Sequence, residues 1–142
     1  MFGGSKRKHI IDKAIEKTIF QFAGRRPKIY NHSYLGAFDD APHNLVITYL
    51  FETDAELASA RASGYCNELE AATIQNLIAL GYPPEAFVRT KVQIPKINFH
   101  IGSEEDHRKI TEALSYRQAK IIISSKEDIN RKSGGKYHKY FL

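Results

Sequence analysis

Asn44-Leu-Val-Ile-Thr-Tyr-Leu-Phe-Glu52 is the stretch of this 142-residue chain that decides its fold. Apolar residues occupy both alternating phases of 45–51, which is typical of a strand covered on both faces of a sheet. Thr53 follows as a candidate N-cap, and Glu56, three residues later, completes a capping box. The sequence therefore predicts a buried strand that leads at once into a helix.

The helical pattern that follows, from Asp54 to Leu80, carries two apolar stripes roughly a right angle or more apart. One stripe contains Ala62, Cys66, Leu69, Thr73, Leu77 and Leu80, and the other contains Leu57, Ala60, Ala71, Ile74 and Ile78. One sheet cannot cover both stripes, so we expect a second apolar neighbour from the same chain or from another copy. Gly64 either splits the pattern into two helices or bends one.

The composition is that of a single globular domain, with 42% hydrophobic and 26% charged residues. A lone cysteine, Cys66, cannot form an internal disulfide, and its place on an apolar stripe favours a buried, inert thiol. The basic N-terminus is not followed by an apolar run of signal-peptide or membrane-spanning length. We therefore expect a cytoplasmic protein that does not bind membranes.

The net charge of +5 is concentrated at the N-terminus: residues 1–28 hold eight Lys/Arg and two Asp/Glu, whereas the rest hold thirteen and fourteen. Within 6–23, Ile11, Ile15 and Phe22 mark the apolar side of an amphipathic helix. We expect a basic N-terminal helix or arm over 1–28 and a single α+β domain over 29–142. Residues 28–43 are rich in aromatics without a period, so they form either a strand or an ordered loop.

The second half repeats the order of the first. Residues 88–101 alternate as a strand whose apolar phase switches at Pro95-Lys96, which indicates a β-bulge at a sheet edge. A helix near 104–115 follows, and then 119–124 form a second doubly apolar strand. Ser125 caps a short helix over 126–132, and 136–142 form the last strand.

This order predicts a ferredoxin-like split β-α-β sheet with four antiparallel strands and helices on one face. In that arrangement the first and third strands are central, in agreement with their doubly apolar pattern. The N-terminal helix and the helix near 104–115 are additions to this core.

Clusters of potential ligands have ordinary explanations. His100, Glu104 and His107 lie across a strand end and a helix start, without the one-face spacing of a helical metal motif. Asp39, Asp40 and His43 have the composition of a polar turn. No nucleotide or nucleophile motif is present, so we expect no metal and no cofactor.

Three classes of function remain open. We expect a non-enzymatic domain that binds another protein or forms a homodimer, through Ile11, Ile15, Phe22, Leu57, Ile74 and Ile78. The alternative is RNA or DNA binding through the basic arm and an open sheet face, with Lys6, Arg7, Lys8, Arg25, Arg26, Arg89, Lys91 and Tyr140 as contacts. An enzyme with an unrecognised His/Asp site is the third class.

Overall fold

The computed structural model of the protein describes residues 3–36, 41–91 and 116–132. The helices are α1 (Gly3–Gln21), α2 (Asp54–Ala62), α3 (Tyr65–Ala79) and α4 (Lys126–Lys132). The strands are β1 (Asn31–Leu35), β2 (Val46–Phe51), β3 (Thr90–Lys91), β4 (Tyr116–Arg117) and β5 (Lys120–Ser125). Short 3₁₀ turns occupy Pro42–Asn44 and Pro84–Phe87.

The main sheet is mixed and has the order β1-β2-β5. Strand β1 pairs antiparallel with β2, and β5 pairs parallel with β2. A parallel pair needs a long crossover connection, and here α2, α3 and the residues up to β5 lie between the two strands in the chain. The α+β class is confirmed, but the ferredoxin-like sheet of four antiparallel strands is wrong.

Two segments account for the error. The aromatic stretch over 28–43 contains β1, which lies beside β2 in the sheet. A strand is predicted over 88–101. Within its described part, Thr90–Lys91 pairs with β4 and does not join the main sheet. The bulge at Pro95-Lys96, the helix near 104–115 and the strand over 136–142 lie outside the described residues.

Strand β2 is covered on both faces, as its sequence predicts. Ile47, Tyr49 and Phe51 point to one face and are at most 1% exposed. Thr48 and Leu50 point to the opposite face and are also buried. The centre of the described sheet is therefore inside the molecule.

The capping box and the helix break are both present. The Glu56 N–H donates to Thr53 Oγ1, and the Thr53 N–H donates to Glu56 Oε1, each at 3.1 Å. Gly64 has a φ of +84°, a left-handed conformation that ends α2 and begins α3 in a new direction. Each apolar stripe is thus divided between the two helices and is buried in part. Leu57, Ala60, Leu69, Thr73 and Leu77 are buried, whereas Ala62, Ala71, Ile78 and Leu80 are exposed.

The second apolar neighbour is α1 of the same chain. Ile11 and Ala14 of α1 are completely buried in the core. Beside them, Asn76 Nδ2 of α3 donates to Thr18 Oγ1 of α1 at 2.8 Å, and the same nitrogen lies 3.1 Å from Gln21 Oε1. The interface between α1 and α3 therefore combines apolar packing with buried polar contacts.

Candidate binding groove between α1 and β1

Helix α1 presents different charges on its two flanks. At about 100° of rotation per residue, Asp12 and Glu16 project from one flank, and Lys13 and Lys17 from the other. The two flanks meet at an exposed ion pair, in which Lys13 Nζ lies 3.9 Å from Glu16 Oε2. The acidic flank faces β1, because Tyr34 Oη of β1 donates a 2.8 Å hydrogen bond to Asp12 Oδ1. The boundary between α1 and β1 is therefore acidic, although the helix as a whole is basic.

Strand β1 contributes two polar rings to the same boundary. His32 and Tyr34 are alternate residues and so point to one face of the sheet, toward α1. An open groove of about 340 Å³ lies there, lined by Asp12, Ile15, Glu16, Ile19 and His32. We call it the α1–β1 groove. Its apolar base is formed by Ile15, which is 2% exposed, and the partly buried Ile19.

The protonation states in the groove follow from its surroundings. Partial burial lowers the pKa of His32, an effect that the nearby Asp12 carboxylate opposes. Burial, with the hydrogen bond to Asp12, raises the pKa of Tyr34 to about 12. At neutral pH the groove therefore presents an uncharged imidazole and a protonated phenol beside two carboxylates.

This combination suits a ligand with a positive head and an apolar stem. A carboxylate accepts hydrogen bonds from an ammonium or guanidinium group, and such charge-assisted bonds are stronger than neutral ones. The Tyr34 hydroxyl holds one oxygen of Asp12 in place and leaves the other oxygen for a ligand. Ile15 and Ile19 can contact the methylenes of a lysine or arginine side chain.

Several of the predicted nucleic-acid contacts serve α1 itself. The guanidinium of Arg7 lies 5.0 Å from the centre of the Tyr82 ring. Arg25 lies 4.7 Å from the centre of the Tyr65 ring and forms a 2.8 Å ion pair with Glu68. Arg7 of α1 and Arg25, which follows the helix, therefore contact the rest of the chain.

The other predicted contacts are dispersed. Lys6, Lys8, Arg26 and Arg89 are exposed, and Lys91 belongs to β3. Tyr140 lies outside the described residues. Within the described residues this set therefore includes two local groups, residues 6–8 of α1 and the pair Arg25 and Arg26.

The predicted interface residues are mostly within the chain's own core. Ile11, Ile15 and Leu57 are buried, whereas Phe22 and Ile74 are partly buried against the core. Ile78 is 39% exposed. As contacts with another molecule, these six residues remain a prediction.

No group of three or more His, Cys, Asp or Glu within 3–36, 41–91 and 116–132 is arranged to hold a metal ion. The two clusters that the sequence attributes to a surface pair and a polar turn fall mainly elsewhere: His100, Glu104, His107, Asp39 and Asp40 lie outside those ranges. His43 lies in the Pro42–Asn44 turn, and its Nε2 is buried without a hydrogen-bond partner among the described residues.

The carboxyl ends of the parallel strands β2 and β5 are a common ligand position in α/β sheets. Here side chains of the protein fill it. Asp54 accepts 2.6 Å hydrogen bonds from Ser125 Oγ and Arg131 Nη1, and its N–H donates to Glu127 Oε1 at 2.7 Å. Ser125 also caps α4, as predicted, by accepting from the Asp128 N–H at 3.0 Å. These contacts join the starts of α2 and α4.

A second groove, of about 330 Å³, contains the single cysteine. It is lined by Arg61, Cys66, Asn67, Glu70, Ile121 and Ile123. Burial raises the pKa of the Cys66 thiol, and the charge of Arg61 opposes that shift. The thiol is therefore protonated at neutral pH and is a poor nucleophile.

Of the residues that line the α1–β1 groove, the sequence indicated only Ile15 as a contact, and Asp12, Glu16, Ile19 and His32 were missed. The available signals were the i, i+4 spacing of Asp12 and Glu16 and the alternation of His32 and Tyr34. The two pairs are far apart in the sequence, and no pattern between them predicts that they meet. The fold brings them together.

Comparisons with known proteins do not extend this description. No family model, no curated protein and no solved structure matches the chain. Within the part of the chain that the structure describes, no helix has the length and apolar character needed to cross a membrane.

Proposed function

We propose that this protein is a protein-binding domain whose α1–β1 groove accepts a lysine or arginine side chain of its partner. One observation carries the proposal: Asp12 and Glu16 line a groove of side-chain size together with the apolar Ile15 and Ile19. Glu16 pairs with the exposed Lys13 at 3.9 Å, and a cation of the partner competes with Lys13 for it. The uncharged imidazole of His32 completes the wall without repelling a cation. The partner is a different protein or a second copy of this chain.

The expected affinity for one side chain is low. Asp12 and Glu16 are exposed, so water screens their attraction for a cation. We expect a dissociation constant on the order of 1 mM for a single basic side chain, which corresponds to about 4 kcal/mol. Tighter binding requires further contacts with the partner's backbone or flanking residues.

The test compares two short peptides that differ only in charge. Acetyl-Ala-Ala-Lys-Ala-Ala-amide and its norleucine counterpart present nearly the same methylene chain, but only the lysine peptide has an ammonium group. NMR titration should show saturable shifts at His32 and Tyr34 with the lysine peptide and none with the norleucine peptide.

Charge-neutral variants locate the site. Asp12→Asn with Glu16→Gln should weaken lysine-peptide binding about tenfold or more, because both charge-assisted bonds are lost. Glu70→Gln, which removes an exposed carboxylate on α3, is the matched control and should bind normally. Equal binding of both peptides, or normal binding by the double variant, would contradict the proposal. Sedimentation at two protein concentrations separates self-association from binding of a different protein.

A second candidate function is salt-sensitive binding of single-stranded nucleic acid by the outer surface of α1. The observation in its favour is that Phe20, 81% exposed, lies on the same side of the helix as Lys13 and Lys17. Lysines can neutralise phosphates, and an exposed ring can stack on a base. This surface adjoins the acidic flank of the α1–β1 groove, because Lys13 pairs with Glu16 at 3.9 Å.

Salt dependence tests this candidate. With a fluorescent 12-nucleotide RNA, Lys13→Gln with Lys17→Gln should lower the slope of log K against log salt by about 1.4, at about 0.7 for each lost cation. Lys120→Gln, which removes an exposed lysine on β5, should leave the slope unchanged. An unchanged slope in the double variant would refute binding by this surface.

A further inference from the structure

Strand β1 lies at the outside of the described sheet. It pairs with β2 along one edge, and no other described strand lies along its second edge. His32 and Leu35 are exposed, Leu35 to 50%. An open strand edge presents backbone donors and acceptors to solvent, which is how a sheet accepts an added strand.

The register shows which backbone groups of β1 point outward. The Lys120 N–H donates to Leu45 O at 3.0 Å. Because the backbone groups of successive residues in a strand point to opposite edges, the odd-numbered residues of β2 form their hydrogen bonds with β5. The even residues of β2 therefore bond to β1, and their partners are Asn31, Ser33 and Leu35. His32 and Tyr34 consequently direct their N–H and C=O groups to the outer edge.

These outward groups are unequal. The His32 N–H donates to the side chain of Asn31, Oδ1, at 2.8 Å. The Tyr34 N–H and the carbonyls of His32 and Tyr34 form the remainder of the outer edge. The side chains of His32 and Tyr34 meanwhile face α1, so this edge borders the α1–β1 groove.

We infer that the partner binds as an extended segment that adds a strand to the outer edge of β1 and places a lysine in the α1–β1 groove. This inference rests on the proposed function, since the lysine is specified by Asp12 and Glu16. An added strand lies about 4.8 Å from β1. From that distance a lysine side chain that points toward α1 can reach the α1–β1 groove. Residues on either side of that lysine point to the opposite face, where Leu35 offers apolar contact. The partner segment is therefore apolar-lysine-apolar.

Backbone methylation of a peptide tests strand addition directly. The probe is acetyl-Thr-Val-Lys-Val-Thr-amide, compared with N-acetyl-lysine methylamide, which has the side chain without a strand. We expect the pentapeptide to bind at least tenfold more tightly. In a strand, adjacent N–H groups point to opposite edges. Methylation of the lysine nitrogen and methylation of both valine nitrogens must therefore lower the affinity for the protein by different factors. One of these two changes should cost tenfold or more, and the other less than twofold.

The protein side of the test is the Tyr34 amide. Its NMR signal should move downfield and gain hydrogen-exchange protection with the pentapeptide, whereas the His32 amide, already bonded to Asn31, should change less. Equal effects of the two methylation patterns, or an unprotected Tyr34 amide, would overturn strand addition. If N-acetyl-lysine methylamide still bound to the wild type and not to Asp12→Asn, the proposed function would stand without this inference. Equal binding of a norleucine pentapeptide would overturn both.

Discussion

Two buried tyrosines on the same core should respond oppositely to the loss of their hydroxyl groups. Tyr49 Oη lies 3.0 Å from Thr73 Oγ1, and Thr73 Oγ1 donates its own hydrogen to Leu69 O at 2.7 Å. Tyr49 must therefore be the donor in that pair. Tyr65 is 1% exposed, and its hydroxyl has no hydrogen-bond partner among the described residues.

The packing of the Tyr65 ring does not depend on its hydroxyl. The ring stacks on Phe22 with centroids 5.5 Å apart and meets Phe51 edge-on at 5.6 Å. Arg25 lies over its face. Tyr65→Phe keeps these three contacts and removes a buried polar group whose desolvation is uncompensated, a cost of about 1–3 kcal/mol.

We expect Tyr65→Phe to raise the free energy of unfolding by about 1 kcal/mol, and Tyr49→Phe to lower it by about 1 kcal/mol. For a chain of this size each kcal/mol moves the melting temperature by about 3 °C. Urea unfolding and calorimetry of the two variants, which have identical composition, measure the difference. A loss of stability in Tyr65→Phe equal to that in Tyr49→Phe would refute the assignment of hydrogen-bonded and unbonded hydroxyls.

Two further changes test local geometry. A Cβ at Gly36, whose φ is +79°, would lie 2.1 Å from a backbone oxygen, so Gly36→Ala should cost more than about 2 kcal/mol in urea unfolding. Gly24→Ala, which meets nothing within 4 Å, is the control and should be nearly neutral. The pKa of Tyr34 is raised from 10.0 to about 12, so the folded state keeps this phenol protonated where the unfolded state loses the proton. The contribution of Tyr34 to the free energy of unfolding should be complete below pH 10 and disappear as the pH rises to about 12. In thermal melts at alkaline pH, Tyr34→Phe should not show this loss of stability. An ultraviolet titration that placed the pKa of Tyr34 near 10 would contradict this prediction.

The helix boundaries could be predicted because they depend on local chemistry. The capping box of Thr53 and Glu56 and the serine cap at Ser125 need only residues three positions apart. The sequence indicates that Gly64 either breaks or bends the helical segment. Its left-handed φ in the structure shows that the segment is broken into α2 and α3. The double burial of β2 was also visible, because both of its alternating phases are apolar.

Strand pairing could not be predicted in the same way. Strand β1 has mostly polar, exposed side chains and no strong alternation, and among the described strands it pairs along one edge only, with β2. The parallel pairing of β2 with β5 depends on the path through α2 and α3, which no local pattern specifies. The α1–β1 groove was hidden for the same reason, as Asp12 and His32 meet only after β1 has paired.

The polar contacts between α1 and α3 have a consequence for motion. Thr18 and Asn76 bond to each other when α1 is docked, and water can bond to both if α1 moves away. We therefore expect undocking to give up less free energy than separation of an entirely apolar interface of the same area, which favours exchange between a closed form with α1 docked and an open form. Because α1 forms one wall of the groove, the proposed ligand requires the closed form. Its apparent affinity is then set partly by the fraction of molecules in which this wall is in place.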